Sequence, residues 1–223
     1  SGLLTWEILR RTPEGVTWAL AWDRATGEAL RQQADRLPEL ERPVVLIADP
    51  AALAERGLEE LEALLKLRGE EGLQFDAIVG RNALGPLPDK AKALQLLSRW
   101  LAPGGRLSLV ETIVRHSQRL YDLADLSSLE EDLQQRLTEA EEEIYTALTD
   151  PLVNWDAADL RRELEAAGFD ELALHEESRE TEVLVSPATL ERWFSTGMEQ
   201  GRPSYAQHLL RRISTDELAQ VQA

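Results

Sequence analysis

Three polar sites in this chain each close an apolar run: Asp23 after Val16–Trp22, Asp49 after Pro43–Ala48, and Arg81 with Asn82 after Phe75–Gly80. A carboxylate at such a point can accept two hydrogen bonds at once, and a guanidinium or carboxamide can hold a polar group beside it. Each also has a structural reading, because aspartate readily turns a chain and starts a helix, and loops are polar in any protein. The sequence leaves both readings open. Other chemistries find less support. With no cysteine there is no thiolate nucleophile, no thiolate metal site and no disulfide framework. His116, His175 and His208 are scattered without ligand spacing, so no metal centre is expected. No G-x-S-x-G elbow occurs and no G-x-G-x-x-G follows an apolar run. That argues against a hydrolase of the elbow type and against a nicotinamide-dependent dehydrogenase.

The elements that must carry these residues follow from the hydrophobic period. Leu3–Arg11 reads as a short amphipathic helix with Leu4 and Ile8 one turn apart, closed by Pro13-Glu14-Gly15. Val16–Trp22 reads as a buried strand, followed by a helix over Glu28–Arg36 and a second strand over Pro43–Ala48. Residues 52–67 carry Leu58, Leu61 and Leu65 at helical spacing, and Gly69 and Gly72 end that pattern before a strand at 75–80. The next helix puts Ala93, Leu94, Leu97, Trp100 and Leu101 on one face. Pro103-Gly104-Gly105 then turns the chain into Arg106–Glu111. Strand and helix alternating this way, with strands apolar on both faces, predict an α/β fold with a parallel sheet and right-handed crossovers.

Beyond Glu111 the rhythm changes. Leu126, Leu129, Leu133, Leu137, Ile144 and Leu148 predict one long helix or two over 113–148, with Glu130–Asp132 and Glu139–Glu143 as an acidic, solvated outer face. Another helix is expected from Asn154–Asp156, which offer caps, to Gly168, a left-handed C-terminal position. Leu172–His175 and Glu182–Val185 read as a closing pair of strands. Residues 188–195 read as a short helix, and the tail from Gly197 as a loop and an amphipathic helix.

A length of 223 residues suits one sizeable α/β domain. The formal net charge of −17 gives a surface that repels phosphate backbones, so direct nucleic-acid binding is not expected. No apolar run approaches the roughly 20 residues of a membrane helix. The chain opens on Ser1-Gly2 and its single methionine is Met198, which reads as a domain cut from a longer, cytoplasmic protein.

The strand Phe75-Asp76-Ala77-Ile78-Val79, the turn Leu101-Ala102-Pro103-Gly104-Gly105-Arg106-Leu107 and the approach Glu165-Ala166-Ala167-Gly168-Phe169 together resemble a class I S-adenosylmethionine-dependent methyltransferase. The resemblance spans residues 1–186, with 113–168 as a helical insertion and last crossover helix and 187–223 as a helical tail. It implies a Rossmann-like, mostly parallel sheet with helices on both faces and an antiparallel edge hairpin. In that plan Val16–Trp22 is the second strand, Pro43–Ala48 the third, Phe75–Gly80 the fourth and Arg106–Glu111 the fifth. The first strand is missing in that plan, so strands two and four either pair directly in a smaller sheet or leave a gap that another segment or another chain fills. The resemblance implies S-adenosylmethionine as cofactor, with Gly2 ending the glycine turn, Asp23 on the ribose hydroxyls, Asp49 at the adenine amine, and Arg81 and Asn82 on the substrate side. Asn82-Ala83-Leu84-Gly85 departs from the Asn-Pro-Pro-aromatic motif of amino-methylating DNA enzymes, which argues against that chemistry. The whole also resembles the C-terminal extension fused to an AAA+ ATPase of the replication-associated recombination (RarA/MgsA) type. The expectation is methyl transfer by the parent protein, with this fragment inactive. The alternative is an accessory unit that docks or self-associates through helices 113–148.

Overall fold

Helix and strand alternate along the first half of the chain, and among the described residues of the second half there are helices and irregular segments but no strand. The computed structural model describes residues 2–48, 55, 59–67, 69, 72–196 and 203–222. In chain order its elements are α1 (Leu3–Arg11), β1 (Trp18–Ala21), α2 (Arg24–Ala34), β2 (Val44–Ile47), α3 (Glu59–Leu67) and β3 (Phe75–Arg81). Then come α4 (Lys90–Trp100), β4 (Leu101–Val110), α5 (Glu131–Thr146), α6 (Ala157–Ala166), α7 (Pro187–Trp193), α8 (Tyr205–Leu209) and α9 (Thr215–Gln222). The chain forms two units, Ser1–Thr112 with Leu160–Leu172, and Ile113–Asp159 with Ala173–Ala223.

The first unit is α/β with parallel pairing. β1 runs beside β2 from Trp18 opposite Val44 to Ala21 opposite Ile47. β3 runs beside β4 from Phe75 opposite Leu101 to Arg81 opposite Val110. These are two separate two-stranded sheets, so β1 and β3 are not paired directly. The β3–β4 ladder jumps from Leu101 to Arg106 between Phe75 and Ala77, which leaves Ala102–Gly105 as a bulge. Gly104 has φ +79°, and a Cβ on Gly105 would lie 2.8 Å from the Ala102 carbonyl oxygen, so this turn depends on both glycines.

Two apolar layers sandwich β1 and β2. On one face, Trp6 of α1 and Leu30 of α2 pack with Ala19, Val45 and Ile47. Here α2 lies so close that a Cβ on Gly27 would sit 2.3 Å from Ile47 Cγ1. The other face, with Trp18, Leu20 and Leu46, joins a larger core built by Leu61 and Leu65 of α3, Leu94, Leu97 and Trp100 of α4, and Leu160 and Leu164 of α6. Ile78 of β3 and Leu107 and Leu109 of β4 enter that same core. A fully buried side chain such as Leu94 contributes about 1.5–3 kcal/mol by leaving water. The opposite face of β3–β4 is bare: Ala77, Val79, Arg106, Ser108 and Val110 are exposed, Val110 at 66%.

The second unit is helical. Leu133, Leu137 and Ala140 of α5 pack with Ala206 and Leu209 of α8, Ile213, and Leu218 of α9. A capping box starts α8, with the Ser204 hydroxyl accepting from Gln207 N and the Gln207 side chain accepting from Ser204 N.

Three expectations are corrected. The edge hairpin does not form: no ladder runs through 172–186, and Val183 and Leu184 are exposed at 70% and 91%. Glu176, Glu177, Glu180 and Glu182 crowd like charge into that stretch, and a strand apolar on both faces gains little where neither face is covered. Helix is likewise absent from most of 113–130, which holds only a single 3₁₀ turn at Val114–His116 before α5. There Asp125 Oδ1 accepts from Ser127 N at 3.0 Å, a local side-chain bond that competes with helix. Finally, the acidic run of α5 is not uniformly solvated, because Glu141 is fully buried.

Candidate functional site

The polar residues picked out by the sequence fall into two clusters of the first unit. Asp23 caps α2: its Oδ1 accepts from Thr26 N at 2.8 Å and its Oδ2 from Thr26 Oγ1 at 2.7 Å. These bonds, the backbone one foremost, hold its carboxyl below the usual aspartate range. Gly2 stands at the N-cap of α1 with φ +66°, and a Cβ there would lie 2.4 Å from Leu30 Cδ1 of α2. Gly2, Ala25, Thr26, Ala29, Leu30 and Gln33 line a depression of about 280 Å³ between the two helix starts. Gly2 and the first turns of α2 are therefore neighbours. Asp49 lies outside the described residues.

The second cluster sits at the carboxyl ends of β3 and β4. Arg81 is exposed at the end of β3. Asn82 follows with φ +51°, a left-handed conformation that asparagine tolerates better than most residues. Its N–H donates to the Val110 carbonyl at 2.8 Å, and its Oδ1 accepts from Thr112 N at 3.0 Å and Thr112 Oγ1 at 3.1 Å. Beside it, Glu111 holds three successive peptide N–H groups. Its Oε1 accepts from Ala83 at 2.7 Å and Leu84 at 3.1 Å, and its Oε2 accepts from Gly85 at 3.1 Å. The loop after β3 is thus locked to the end of β4. Among the described residues no hydrogen bond joins this cluster to Asp23.

Glu111 was missed by sequence reasoning, which treated it only as a strand end. The one local signal was a glutamate directly after an apolar strand.

The second unit holds a polar cluster of its own. Glu141 accepts from the N–H groups of Leu120 and Tyr121 and from Tyr205 Oη at 2.8 Å. Glu142 accepts from Arg119 Nε at 2.7 Å and Tyr121 Oη at 2.8 Å. Arg119, foremost, holds the Glu142 carboxyl below its ordinary range, and the Tyr121 phenol is pushed up to about 12 chiefly by its bond to Glu142. Burial does most to raise the Tyr205 phenol. A shallow depression of about 380 Å³ opens here, lined by Arg115, His116, Arg119, Tyr121, Asp122 and Glu142. Its basic side chains already have acidic neighbours: Arg119 has Glu142, Arg115 has Asp156 at 3.7 Å, and His116 Nδ1 lies 3.5 Å from Glu176. The cluster braces the 117–121 loop against α5 and α8, and offers an incoming anion little unpaired charge.

Among the described residues no group of three or more His, Cys, Asp and Glu side chains could hold a metal ion, and no helix is long and apolar enough to cross a membrane. No known protein family model, curated protein or solved structure matches the chain.

Proposed function

We propose that the first unit is the nucleotide-binding half of a class I methyltransferase-like domain, whose parent protein transfers a methyl group from S-adenosylmethionine. The observation that carries this reading is which helices cover which face. α2, joining β1 to β2, packs on one face, whereas α3 and α4, leading to β3 and β4, pack on the other. Parallel crossovers are right-handed, so helices on opposite faces move the chain in opposite directions along a sheet. The implied order is β2, β1, β3, β4, with β1 and β3 innermost. That is a doubly wound arrangement, and ligands of such sheets bind at the carboxyl ends of the strands where the order reverses. Asp23 follows β1 and Arg81–Asn82 end β3, the two strands that flank this point.

The residues present suit the ribose end of the cofactor. An ionised carboxylate has about four acceptor sites; Thr26 occupies two of those on Asp23 and the Ala25 N–H bears on it too, which leaves room for one ribose hydroxyl. At Gly2, where a side chain would collide with Leu30, the backbone can come close to a ligand. S-adenosylmethionine would supply an activated methyl group for in-line transfer. The task of the protein would be to position it and exclude water, so no fixed nucleophile is required.

A second reading, a non-catalytic docking unit attached to an AAA+ ATPase, is favoured by the loop after β3. Its peptide groups are consumed by Glu111 and the Asn82 amide oxygen by Thr112, so few polar groups there are left for a substrate.

Isothermal titration of S-adenosylmethionine and S-adenosylhomocysteine tests both. The chain would be compared with a version extended upstream by about forty residues, enough for a strand, a helix and their turns. Binding to the extended form, lost in Asp23→Ala, is the expected result. No binding to either form sinks the methyltransferase reading. Light scattering showing a complex between the unliganded domain and the ATPase would then support docking.

A further inference from the structure

The bare face of the β3–β4 sheet carries charge of the sign this chain has least of. Parallel sheets are ordinarily covered on both faces. Here Ile78, Leu107 and Leu109 enter the core, while Ala77, Val79 and Arg81 of β3 and Arg106, Ser108 and Val110 of β4 are exposed. The ladder sets Ala77 opposite Arg106, Val79 opposite Ser108 and Arg81 opposite Val110. The face is therefore a strip of small apolar and hydroxyl groups with a guanidinium at either end. Among the described residues neither guanidinium has a hydrogen bond or an ion pair, although acidic residues outnumber basic ones by 41 to 24.

The chain also carries a segment of opposite character. Val183, Leu184 and Val185 are all exposed, and among the described residues no other three successive large apolar side chains are. Such a run on a surface is a fault unless something covers it. Just before it, Glu180 and Glu182 are exposed, and no cation lies beside either among the described residues. An extended chain turns every second side chain to the same side, with about 6.6 Å for each step of two. Glu180, Glu182 and Leu184 can thus face one way at the spacing of Arg106, Ser108 and Val110. Laid along β4, one carboxylate would meet a guanidinium, the next a hydroxyl donor, and leucine would meet valine. Val79, opposite Ser108, widens the apolar strip, and Arg81, opposite Val110, adds the second positive charge.

We propose that the bare β3–β4 face of one copy of this chain takes residues 180–185 of a second copy, extended, with Glu180 at Arg106 and Leu184 at Val110. The occupant is a second copy because each copy offers both the face and the segment, and both stand uncovered in the single chain. Two chains of net charge −17 repel at long range, which opposes their approach. Six residues on one sheet face also make a small interface, so the association is weak and reversible. It requires no cofactor and stands or falls apart from the methyltransferase reading.

Light scattering on the full chain tests it, at concentrations from about 10 to 500 μM, the range suited to a small interface. The mean mass should climb above the 25.0 kDa of one chain as concentration rises. Arg106→Glu and Glu180→Arg should each raise the dissociation constant by about tenfold or more, because like charges then face each other. Both positions are exposed, so both variants should keep the parent's circular dichroism. Leu184→Ser should weaken association without any change of charge. Mixing the two charge variants is the decisive step. The altered face then meets the altered segment, the native face meets the native segment, and association should return in the mixture alone. A parent chain that stays at 25.0 kDa throughout overturns the proposal. Association that both charge variants leave intact also overturns it, because another surface would then join the copies. So does a mixture that stays dissociated, because the two charges would then not meet.

Discussion

At Glu111 a single carboxylate satisfies three peptide N–H groups that no β-ladder reaches. Leu84 and Gly85 are buried, so without Glu111 two of these donors would be stranded away from water. A buried donor left without a partner costs about 1–3 kcal/mol. Glu111→Ala is therefore expected to destabilise the first unit by about 2–4 kcal/mol, read as a lower urea midpoint. Glu111→Gln keeps one oxygen acceptor but turns an amide N–H₂ toward a donor, and should cost roughly half as much. An alanine variant as stable as the parent would show that water replaces the carboxylate and that the loop is not locked. The same scale explains what could be read at Asp23 and not at Glu111. An aspartate just before a helical run announces a cap, and Asp23 bonds Thr26 only three residues on. The partners of Glu111 are peptide groups 26 to 28 residues away, and no side-chain type marks them.

Among the elements, α1 forms over the residues its period assigned, Leu3–Arg11, and the four apolar runs became β1 to β4 because a buried strand carries its own signature. Pairing carries none. The run Glu182–Val185 has strand composition, but a strand needs a partner edge and a covered face, and both are supplied from far along the chain. α5 teaches the converse. Leu133, Leu137 and Glu141 lie four apart, so the period places Glu141 in the core, although the acidic run around it suggests solvent. Between α5 and α9, Arg136 donates to both oxygens of Glu217 and also to Asp132. The bond to Arg136 is the main reason the Glu217 carboxyl drops from 4.5 to about 2. A carboxyl lowered by folding stabilises the folded state at pH above its unfolded value, and that contribution is lost as pH falls through the folded value. Arg136→Gln should thus lower the thermal midpoint of the helical unit by on the order of a few degrees at neutral pH. The gap between parent and variant should close as pH falls from 4.5 to about 2. Circular dichroism melts at stepped pH check this, and a gap that persists below that window would assign the effect to packing of the arginine stem instead.

On the scale of the molecule, two units share one chain that passes between them more than once, and the second unit is assembled from segments on either side of Leu160–Leu172. Its core joins α5 to α8 and α9 across the irregular stretch at 173–186. That stretch has no ladder, and the Arg179 side chain is 82% exposed, held only by an ion pair with the equally superficial Glu177. Such a pair contributes little, so the backbone there can open and enter a protease without cost to either unit. Among the described residues, trypsin should therefore cut first after Arg179. The two fragments should then stay together, because Leu133, Leu137 and Ala140 lie before the cut and Ala206, Leu209 and Leu218 after it. The Glu141–Tyr205 and Arg136–Glu217 bonds also cross it. The expected outcome is two bands on a denaturing gel and one peak, at the position of the uncut protein, on size exclusion at micromolar concentration. Separation into two peaks would mean that the helical core holds only while covalently tethered. The stretch at 113–148 could then not present a fixed surface to a partner, and docking through it would have to be abandoned.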